Sequence, residues 1–295
     1  MNQSTAVALS HAENGMCDVT EKMETAGRRT ITVRALGRGS AGLVAACTLL
    51  FLVAPLAGLC LWCSIPELVE ATLSPMLWAA LKISFVTSSI STLIVIVFGG
   101  VLAFILARYQ FRGKMIVDTL VDLPMVLPPM VTGIALLILF GRNGPVGSWL
   151  AERDMALTFT AIAVVIAQVF VALPFFVRAA RAGFEGVDRR LETASLLLGA
   201  SKARTFFRVT VPLVWPTLLA GAILAWARCL GEFGATIVFA GNFQGVTQTM
   251  PLAIFDALQS NLGVAIALSL ILLLVSFGLV LLLKFVVGGA NVSRP

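Results

Sequence analysis

Charged residues are scarce in this sequence, and hydrophobic residues are correspondingly abundant. Asp, Glu, Lys and Arg together make up 12% of the 295 residues, whereas 59% are hydrophobic. Soluble globular domains carry about 25% charged residues, so the composition excludes that class. It predicts a chain that resides in a membrane.

Residues that support catalysis are also few. His11 is the single histidine, which is too few for most Ser/His/Asp or Cys/His catalytic arrangements. The only Gly-Lys pair, Gly113-Lys114, lacks the upstream glycine and the Ser or Thr of an ATP-binding phosphate loop. We therefore expect no enzymatic activity and no bound cofactor in this chain. If ATP and its Mg²⁺ are used, another chain must bind them.

Six apolar runs are long enough to cross a bilayer, which takes about 20 residues in a helix. The third run contains Pro124, Pro128 and Pro129, and proline interrupts the hydrogen-bond ladder of a helix. This predicts a kinked or interrupted span there, within an all-α, polytopic membrane protein. The predicted spans are residues 43–63, 76–107, 116–140, 160–177, 213–240 and 262–287.

Positive charge is distributed unequally between the loops. Cytoplasmic loops of membrane proteins carry an excess of Lys and Arg. With the N-terminus inside, the outer loops hold little positive charge beyond Lys82, Arg142 and Arg153. This pattern predicts that both termini are cytoplasmic. It also accounts for the net charge of +6 without nucleic acid as a partner.

The long loop between the fourth and fifth spans has the pattern of two short helices. Asp188 is suited to cap a helix over residues 187–198, and Gly199 follows in the position where a left-handed residue ends a helix. A second amphipathic piece over residues 202–210 would return the chain to the membrane at Val211-Pro212. The loop is therefore expected to be structured.

The first of these loop helices would display an apolar face. Leu191, Ala194 and Leu198 fall on one side at helical spacing. An apolar face in the cytoplasm indicates a docking site for a partner protein. The alternative is a helical pair that lies on its own membrane domain or on the lipid surface.

The same loop resembles the EAA motif of permease subunits of ATP-binding cassette importers. That motif reads Glu-Ala-Ala, three residues, Gly, nine residues, Ile, one residue, Leu-Pro. In this chain Gly199 is followed by nine residues and then by the segment from Val209 to Pro212, which matches the second half of the motif. The first half differs from the motif, because Glu192 lies one residue before the position at which the motif has its glutamate. The resemblance implies a coupling helix that seats in a cleft of a separate ATPase subunit. It assigns this role to Glu192, Ala194, Leu198, Gly199, Val209 and Pro212.

Two charged residues lie within the apolar run AWARCLGEFGATIVFAG. Arg228 and Glu232, four residues apart on one predicted helix, can pair and so lower the cost of charge at membrane depth. Such a pair is expected to face the bundle interior or a water-filled path, where it either locks helices together or braces a gate. Gly231 and Gly234 would allow the close packing or local break that a gate needs. The predicted path residues are Arg228, Gly231, Glu232, Phe233 and Gly234.

A wider resemblance covers residues 203–260 and, more loosely, 77–284. These residues are similar to the permease of molybdate importers in the stretches FGRNGP at 140–145, EGVD at 185–188, AWARCLGEFGAT at 225–236 and GVTQTMP at 245–251. Related sulfate permeases commonly read Gly-Glu-Tyr-Gly where this chain has Phe233 between Glu232 and Gly234. The resemblance implies the MetI-like fold of type I importers and a path for molybdate, with tungstate, sulfate or thiosulfate as alternatives.

The resemblance also implies partners and a domain layout. The partners are an ATPase subunit, an extracytoplasmic molybdate-binding protein and a second copy of the chain, in a bacterial inner membrane. A secondary transporter or a non-transporting scaffold remains the alternative class. The predicted layout is a polar cytoplasmic tail at 1–42, the first transmembrane helix and outer loop at 43–75, the permease domain at 76–287 with its coupling loop at about 185–212, and a cytoplasmic tail at 288–295.

Overall fold

A computed structural model describes residues 42–292 of the chain, and every regular element within that range is a helix. Apart from Gly42, the predicted N-terminal tail lies outside the described residues, as do residues 293–295. The described residues divide into two units, 42–61 and 62–292. The helices are α1 Gly42–Trp62, α2 Ile65–Leu73, α3 Pro75–Arg108, α4 Lys114–Val126, α5 Pro129–Phe140, α6 Pro145–Ala151, α7 Ala161–Glu185, α8 Arg189–Leu197, α9 Lys202–Leu230, α10 Gly234–Phe239, α11 Met250–Ser260 and α12 Leu262–Val292.

The predicted all-α membrane architecture is confirmed. Five single helices among the described residues are long and apolar enough to cross a membrane: α1, α3, α7, α9 and α12. A sixth span is possible through α4 and α5, which bend by 115° at the break between them. Leu127 is extended at this break because the residue before a proline avoids the helical region. The predicted interruption of the third span is therefore confirmed.

The predicted end of the fourth span at residue 177 was too early. Helix α7 continues to Glu185, although Arg178 and Arg181 follow the apolar run. The Arg178 guanidinium binds both carboxylate oxygens of Asp122 on α4 at 2.6–2.7 Å. Arg181 pairs with Asp118 on α4 and with Glu185 in its own helix. These pairs neutralise the charge, so the helix does not have to end where the apolar run ends.

The predicted limits of the fifth span were wrong at both ends. The helix begins at Lys202, not residue 213, because a π-helical turn at Phe206–Thr210 joins the loop piece directly to the span. It ends at Leu230, not residue 240, and a separate short helix begins at Gly234. The second loop helix predicted over residues 202–210 is thus the first part of α9.

Helix α7 lies at the centre of the second unit and packs against α3, α4 and α9. Glycines allow α9 to approach it closely. A Cβ atom added to Gly221 would lie 2.9 Å from the Ala179 Cβ, and one added to Gly183 would lie 2.9 Å from the Thr217 Cβ. Membrane helices use small residues in this way because van der Waals contact drives their association. The α7–α9 contact holds the two ends of the predicted coupling loop together.

Candidate functional site

The loop between α7 and α9 contains a short helix, α8, with the predicted end geometry. The Asp188 side chain accepts a hydrogen bond from the Arg190 amide at 2.9 Å, as an N-cap residue does. Gly199 has a φ of +85°, in the left-handed region that favours glycine after a helix. The helix itself, Arg189–Leu197, is shorter than the predicted 187–198, because Asp188 and Leu198 serve as its caps.

Glu192 connects α8 to two of the long helices. One carboxylate oxygen lies 2.6 Å from Arg108 Nη2, at the end of α3, and the same oxygen accepts a hydrogen bond from Thr210 Oγ1 on α9 at 2.7 Å. The Arg108 side chain is only 9% exposed. Glu192 therefore faces its own membrane helices instead of the open surface of the loop. Sequence reasoning did not identify Arg108, although it ends the apolar run of α3.

The opposite side of the loop presents apolar side chains to the surface. Leu197 and Leu198 are 84% and 89% exposed, and Ala194 is also exposed. A Cβ atom added to Gly199 would meet nothing within 4 Å. The exposed face includes Leu197, which the helical-spacing argument left out. Two adjacent exposed leucines form a surface suited to burial against another protein.

Val209 and Pro212 lie away from this exposed face. Val209 belongs to the π-helical turn of α9, and Pro212 follows shortly after that turn, near the start of the regular helix. Pro212 is tolerated there because the helix is locally widened and a proline nitrogen needs no hydrogen-bond partner in a first helical turn. The structure thus places the second half of the EAA-like pattern at the entrance to the membrane helix.

The predicted pair of Arg228 and Glu232 is present, but the two residues do not share one helix. Arg228 lies in the last turn of α9, whereas Glu232 follows the end of that helix at Leu230. Arg228 Nη2 lies 2.8 Å from Glu232 Oε2, in an ion pair whose angles are not those of a hydrogen bond. Glu232 Oε1 accepts a hydrogen bond from the Ala235 amide at 2.8 Å. Glu232 therefore links the end of α9 to the first turn of α10.

Burial differs between the two charged partners. The Glu232 side chain is 1% exposed and that of Arg228 is 27% exposed. A carboxylate this deeply buried is costly unless it is paired and hydrogen bonded, and Arg228 and the Ala235 amide provide both interactions. Arg228 is therefore partly accessible, and the buried carboxylate of Glu232 balances its charge.

The remaining predicted path residues form the break between α9 and α10. Gly231 is exposed and lies in an ordinary backbone conformation, with a φ of −88°. The Phe233 ring lies 5.1 Å from the Phe255 ring on α11. Gly234 is the site of close packing, since a Cβ atom there would lie 2.5 Å from the Pro129 Cβ on α5. The local break is therefore observed, and the tight contact is at Gly234 only.

Sequence reasoning missed a stripe of buried polar side chains on α3. The Gln168 amide nitrogen donates to Thr87 at 3.2 Å, and Ser91 donates to the Gln168 amide oxygen at 2.9 Å, which joins α3 to α7. Ser84 accepts a hydrogen bond from the Met250 amide. The signal was in the sequence, because polar residues recur at i, i+3, i+4, i+7 and i+8 on this otherwise apolar helix. The stripe consists of Ser84, Thr87, Ser88, Ser91 and Thr92.

Four buried hydroxyl groups have no hydrogen-bond partner within the described residues. They belong to Ser88 on α3, Thr132 on α5, Thr236 on α10 and Thr249 before α11. Most buried polar groups in proteins are paired, so an unpaired one calls for a functional or structural reason. These four groups are candidates for contact with a polar ligand.

The chain has known relatives along most of its length. A family model described as "Binding-protein-dependent transport system inner membrane component" matches residues 96–289. The "Probable transport system permease protein NifC" of Clostridium pasteurianum is 42% identical over 204 residues, which cover 68% of this chain and 71% of that protein. The "Molybdenum transport system permease protein ModB" of Escherichia coli is 40% identical over 209 residues, covering 68% of this chain and 91% of the relative.

Two further similarities bear on substrate and fold. The "Sulfate transport system permease protein CysT" of Escherichia coli is 38% identical over 190 residues, covering 64% of this chain and 69% of that protein. A chain from the crystal structure of a bacterial alginate ABC transporter, in complex with a periplasmic protein that holds an alginate pentasaccharide, superposes with a TM-score of 0.69. It is 17% identical, over 86% of this chain and 94% of that chain. This likeness supports the MetI-like fold.

Proposed function

The chain belongs to the family of binding-protein-dependent transport system inner membrane components, and we propose that its substrate is molybdate. It is a multi-pass permease subunit of an ATP-binding cassette importer in a bacterial inner membrane. Its similarity to permeases named for molybdenum transport supports the anion. Phe233 also supports molybdate, since the related sulfate permeases commonly have tyrosine at this position. Tungstate, with almost the same size and charge, is expected to follow the same path.

Sulfate is the second candidate substrate. CysT, a sulfate permease, is nearly as similar to this chain as the molybdenum permeases are. Sulfate and molybdate are both tetrahedral dianions, so the same charged and hydroxyl groups could bind either. The choice between them depends on size and on the protein that delivers the anion.

The partners in this proposal follow from the importer architecture. Two copies of the chain enclose one path, and each docks an ATPase subunit that binds ATP and Mg²⁺. An extracytoplasmic binding protein delivers the anion, by analogy with the periplasmic protein bound to the alginate transporter. Both termini and the α8 loop lie in the cytoplasm in this scheme, consistent with the excess of Lys and Arg there.

The main support for coupling is the Glu192 contact. An ATPase surface that binds Leu197 and Leu198 would hold α8 by its exposed side. Glu192 ties the other side of α8 to Arg108 on α3 and to Thr210 on α9. A movement of the ATPase subunits would therefore be transmitted to two membrane helices at once. Alternating access requires such a rigid link between the site of ATP binding and the path.

The path in this proposal passes the break between α9 and α10. A fixed arginine without a partner would trap a dianion, whereas conduction requires binding that is weak enough to release the ion. Glu232 reduces the net charge at Arg228. The hydroxyls of Thr132 and Thr236, on the two packed helices α5 and α10, have no hydrogen-bond partner among the described residues and are buried, so they would donate to oxyanion oxygens only where the α5–α10 contact opens.

Transport in proteoliposomes tests this function. The vesicles would contain this chain, its ATPase and its binding protein, and uptake of labelled molybdate would be measured with ATP on the ATPase side and excess sulfate as competitor. We expect ATP-dependent uptake that sulfate does not suppress. Suppression by sulfate would move the substrate to the sulfate branch, and uptake without ATP would favour a secondary transporter. Vesicles that lack only the binding protein are the control.

A further inference from the structure

An open groove of about 1000 Å³ runs along one face of the second unit. Its walls are the second half of α3 on one side and the first half of α9 on the other, and it ends at α8. Only its end involves the Arg108–Glu192 contact. The long apolar part takes no part in the coupling or the path proposed above, and its volume is at the upper end of the range for ligand sites.

The apolar part of the groove is open along its length. Val97 and Val101 on α3 are each 60% exposed, and Phe207 and Trp215 on α9 are 68% and 55% exposed. Beneath them, the Phe104 ring contacts the rings of Phe184 and Phe206 edge-on, with centroids 5.4 and 5.1 Å away. Aromatic rings packed in this way make a rigid floor. An occupant of this part must be apolar and elongated.

The end of the groove at α8 is basic. Arg108, Arg189 and Lys202 line it together with one carboxylate, Glu192, which gives a net charge of 3 − 1 = +2. Arg108 is already paired with Glu192, while neither Arg189 nor Lys202 forms an ion pair with any described carboxylate. Both are exposed. This end of the groove therefore offers two cations to an anionic group.

Both π-helical turns in the described part of the chain border this groove. One, Val95–Gly99, lies in α3 and contributes Ile96 and Val97 to the wall. The other, Phe206–Thr210, lies in α9 and contributes three of its residues. Such turns are rare and occur frequently at functional sites. They widen the two helices on the two facing walls.

We propose that the groove binds one anionic glycerophospholipid, with its phosphate at Arg189 and Lys202 and its acyl chains along the wall between α3 and α9. Basic pockets between membrane helices bind lipid head groups of this charge, and Trp215 and Tyr109 are of the type enriched where head groups meet acyl chains. A zwitterionic lipid would bring a cation of its own to an end of the groove that already carries a net positive charge. A small soluble anion would leave the apolar wall uncovered.

A lipid in this position would touch the same three helices that Glu192 connects. It would span from α3 to α9 and contact α8 through Arg189, beside the Arg108–Glu192 pair. Bound lipid would thus stiffen the link between the coupling helix and the membrane helices. This consequence rests on the proposed function, whereas the binding itself does not.

Lipid binding to the purified full-length chain tests the proposal directly. The chain would be placed in phosphatidylcholine nanodiscs and titrated with phosphatidylglycerol. The chain would then be released from the nanodiscs, and the lipid still bound to it would be counted by native mass spectrometry. Replacement of both cations, Arg189→Gln with Lys202→Gln, is expected to weaken binding about 30-fold, from roughly 1 kcal/mol per basic residue at a membrane surface. The matched control is Arg190→Gln with Arg204→Gln, which removes the same charge from exposed neighbours that do not line the groove. Equal loss in both double variants would overturn the proposal.

A second measurement uses the unaltered protein and so does not depend on how the variants fold. Phosphatidylglycerol with a photoreactive group in one acyl chain would be cross-linked, and the adducts would be mapped by peptide. We expect adducts concentrated in residues 96–109 and 203–222, and few with the phosphatidylcholine analogue. Adducts spread evenly over all exposed apolar helices would overturn the proposal, as would a cross-link between two copies of the chain through this groove.

Discussion

At the residue scale, two glutamates each connect one helix to another. Glu192 joins the loop helix α8 to Arg108 on α3 and Thr210 on α9. Glu232 joins Arg228 at the end of α9 to the Ala235 amide at the start of α10. Hydrogen bonds to charged groups contribute about 1.5–3 kcal/mol each, so single substitutions at these positions should have measurable effects.

The Glu192→Gln variant is expected to import about tenfold more slowly while it still binds the ATPase. Glutamine keeps an oxygen for Thr210 but loses the charge that attracts Arg108, so α8 is held less firmly to α3. The tenfold figure corresponds to about 1.4 kcal/mol. Uptake per assembled complex is the measurement, and Arg190→Gln, at an exposed position on the same helix, is the control. Normal uptake in an assembled Glu192→Gln complex would contradict the coupling role.

The Glu232→Gln and Arg228→Met variants distinguish a gate from a structural lock. Glutamine still accepts the Ala235 amide hydrogen bond, so α10 should keep its start while Arg228 loses its counter-charge. We expect uptake to fall at least about tenfold in either variant, with assembly preserved. The control is Arg153→Met, at an exposed position in the segment between α6 and α7. Reduced thermal stability together with full uptake per complex would indicate that the pair only locks helices.

At the scale of elements, the short helix α10 is held against α5 by glycines on both sides. A Cβ atom on Gly234 would lie 2.5 Å from the Pro129 Cβ, and one on Gly133 would lie 2.7 Å from the Val238 Cβ. Contact this close leaves no room for even a methyl group. The bend at Pro128-Pro129 and the break at Gly231 to Phe233 therefore occur in two elements that pack together.

The Gly234→Ala variant is expected to be less stable by about 1–3 kcal/mol, the usual range for overpacking. The Gly231→Ala variant should be close to wild type, because the nearest atom to the added methyl is the Ala227 carbonyl oxygen at 3.6 Å. The melting temperature of the purified chain in detergent is the measurement. Equal melting temperatures for the two variants would show that the α5–α10 contact can accommodate an added methyl group.

At the scale of the whole molecule, the number of spans and the position of the termini depend on each other. Five helices are each long enough to span, and the bent pair α4 and α5 makes a sixth if it crosses the membrane. An even number of crossings puts both termini on one side. The excess of Lys and Arg favours the cytoplasm for that side.

Epitope tags at the two termini should therefore both be protected from an impermeant label in intact spheroplasts, and both be labelled after lysis. A tag inserted after Arg153, in the segment between α6 and α7, should be labelled before lysis and serves as the control. If the two terminal tags differ in protection, the pair α4 and α5 enters and leaves the membrane on one side.

The sequence alone determined most of the fold because bilayer-spanning segments and their caps are local properties. About 20 apolar residues predict a span, Pro128 and Pro129 predicted the interruption, and Asp188 and Gly199 predicted the ends of α8. The polar stripe from Ser84 to Thr92 was equally local, and its period could have revealed it. The end of the apolar run was less informative, since helix α7 continues past residue 177 with Arg178 paired to Asp122.

Only the tertiary structure decided which charged side chains from distant parts of the chain meet. Glu192 and Arg108 are 84 residues apart, so no local pattern indicates that they touch. The packing of Gly234 against Pro129 on α5 likewise could not be seen in the sequence, because the two residues lie far apart along the chain. Spans follow from the preference of each segment for lipid over water, which the segment carries in itself. The Glu192–Arg108 contact and the Gly234–Pro129 contact are formed between segments, and so they exist only once α3 has packed against α8, and α5 against α10.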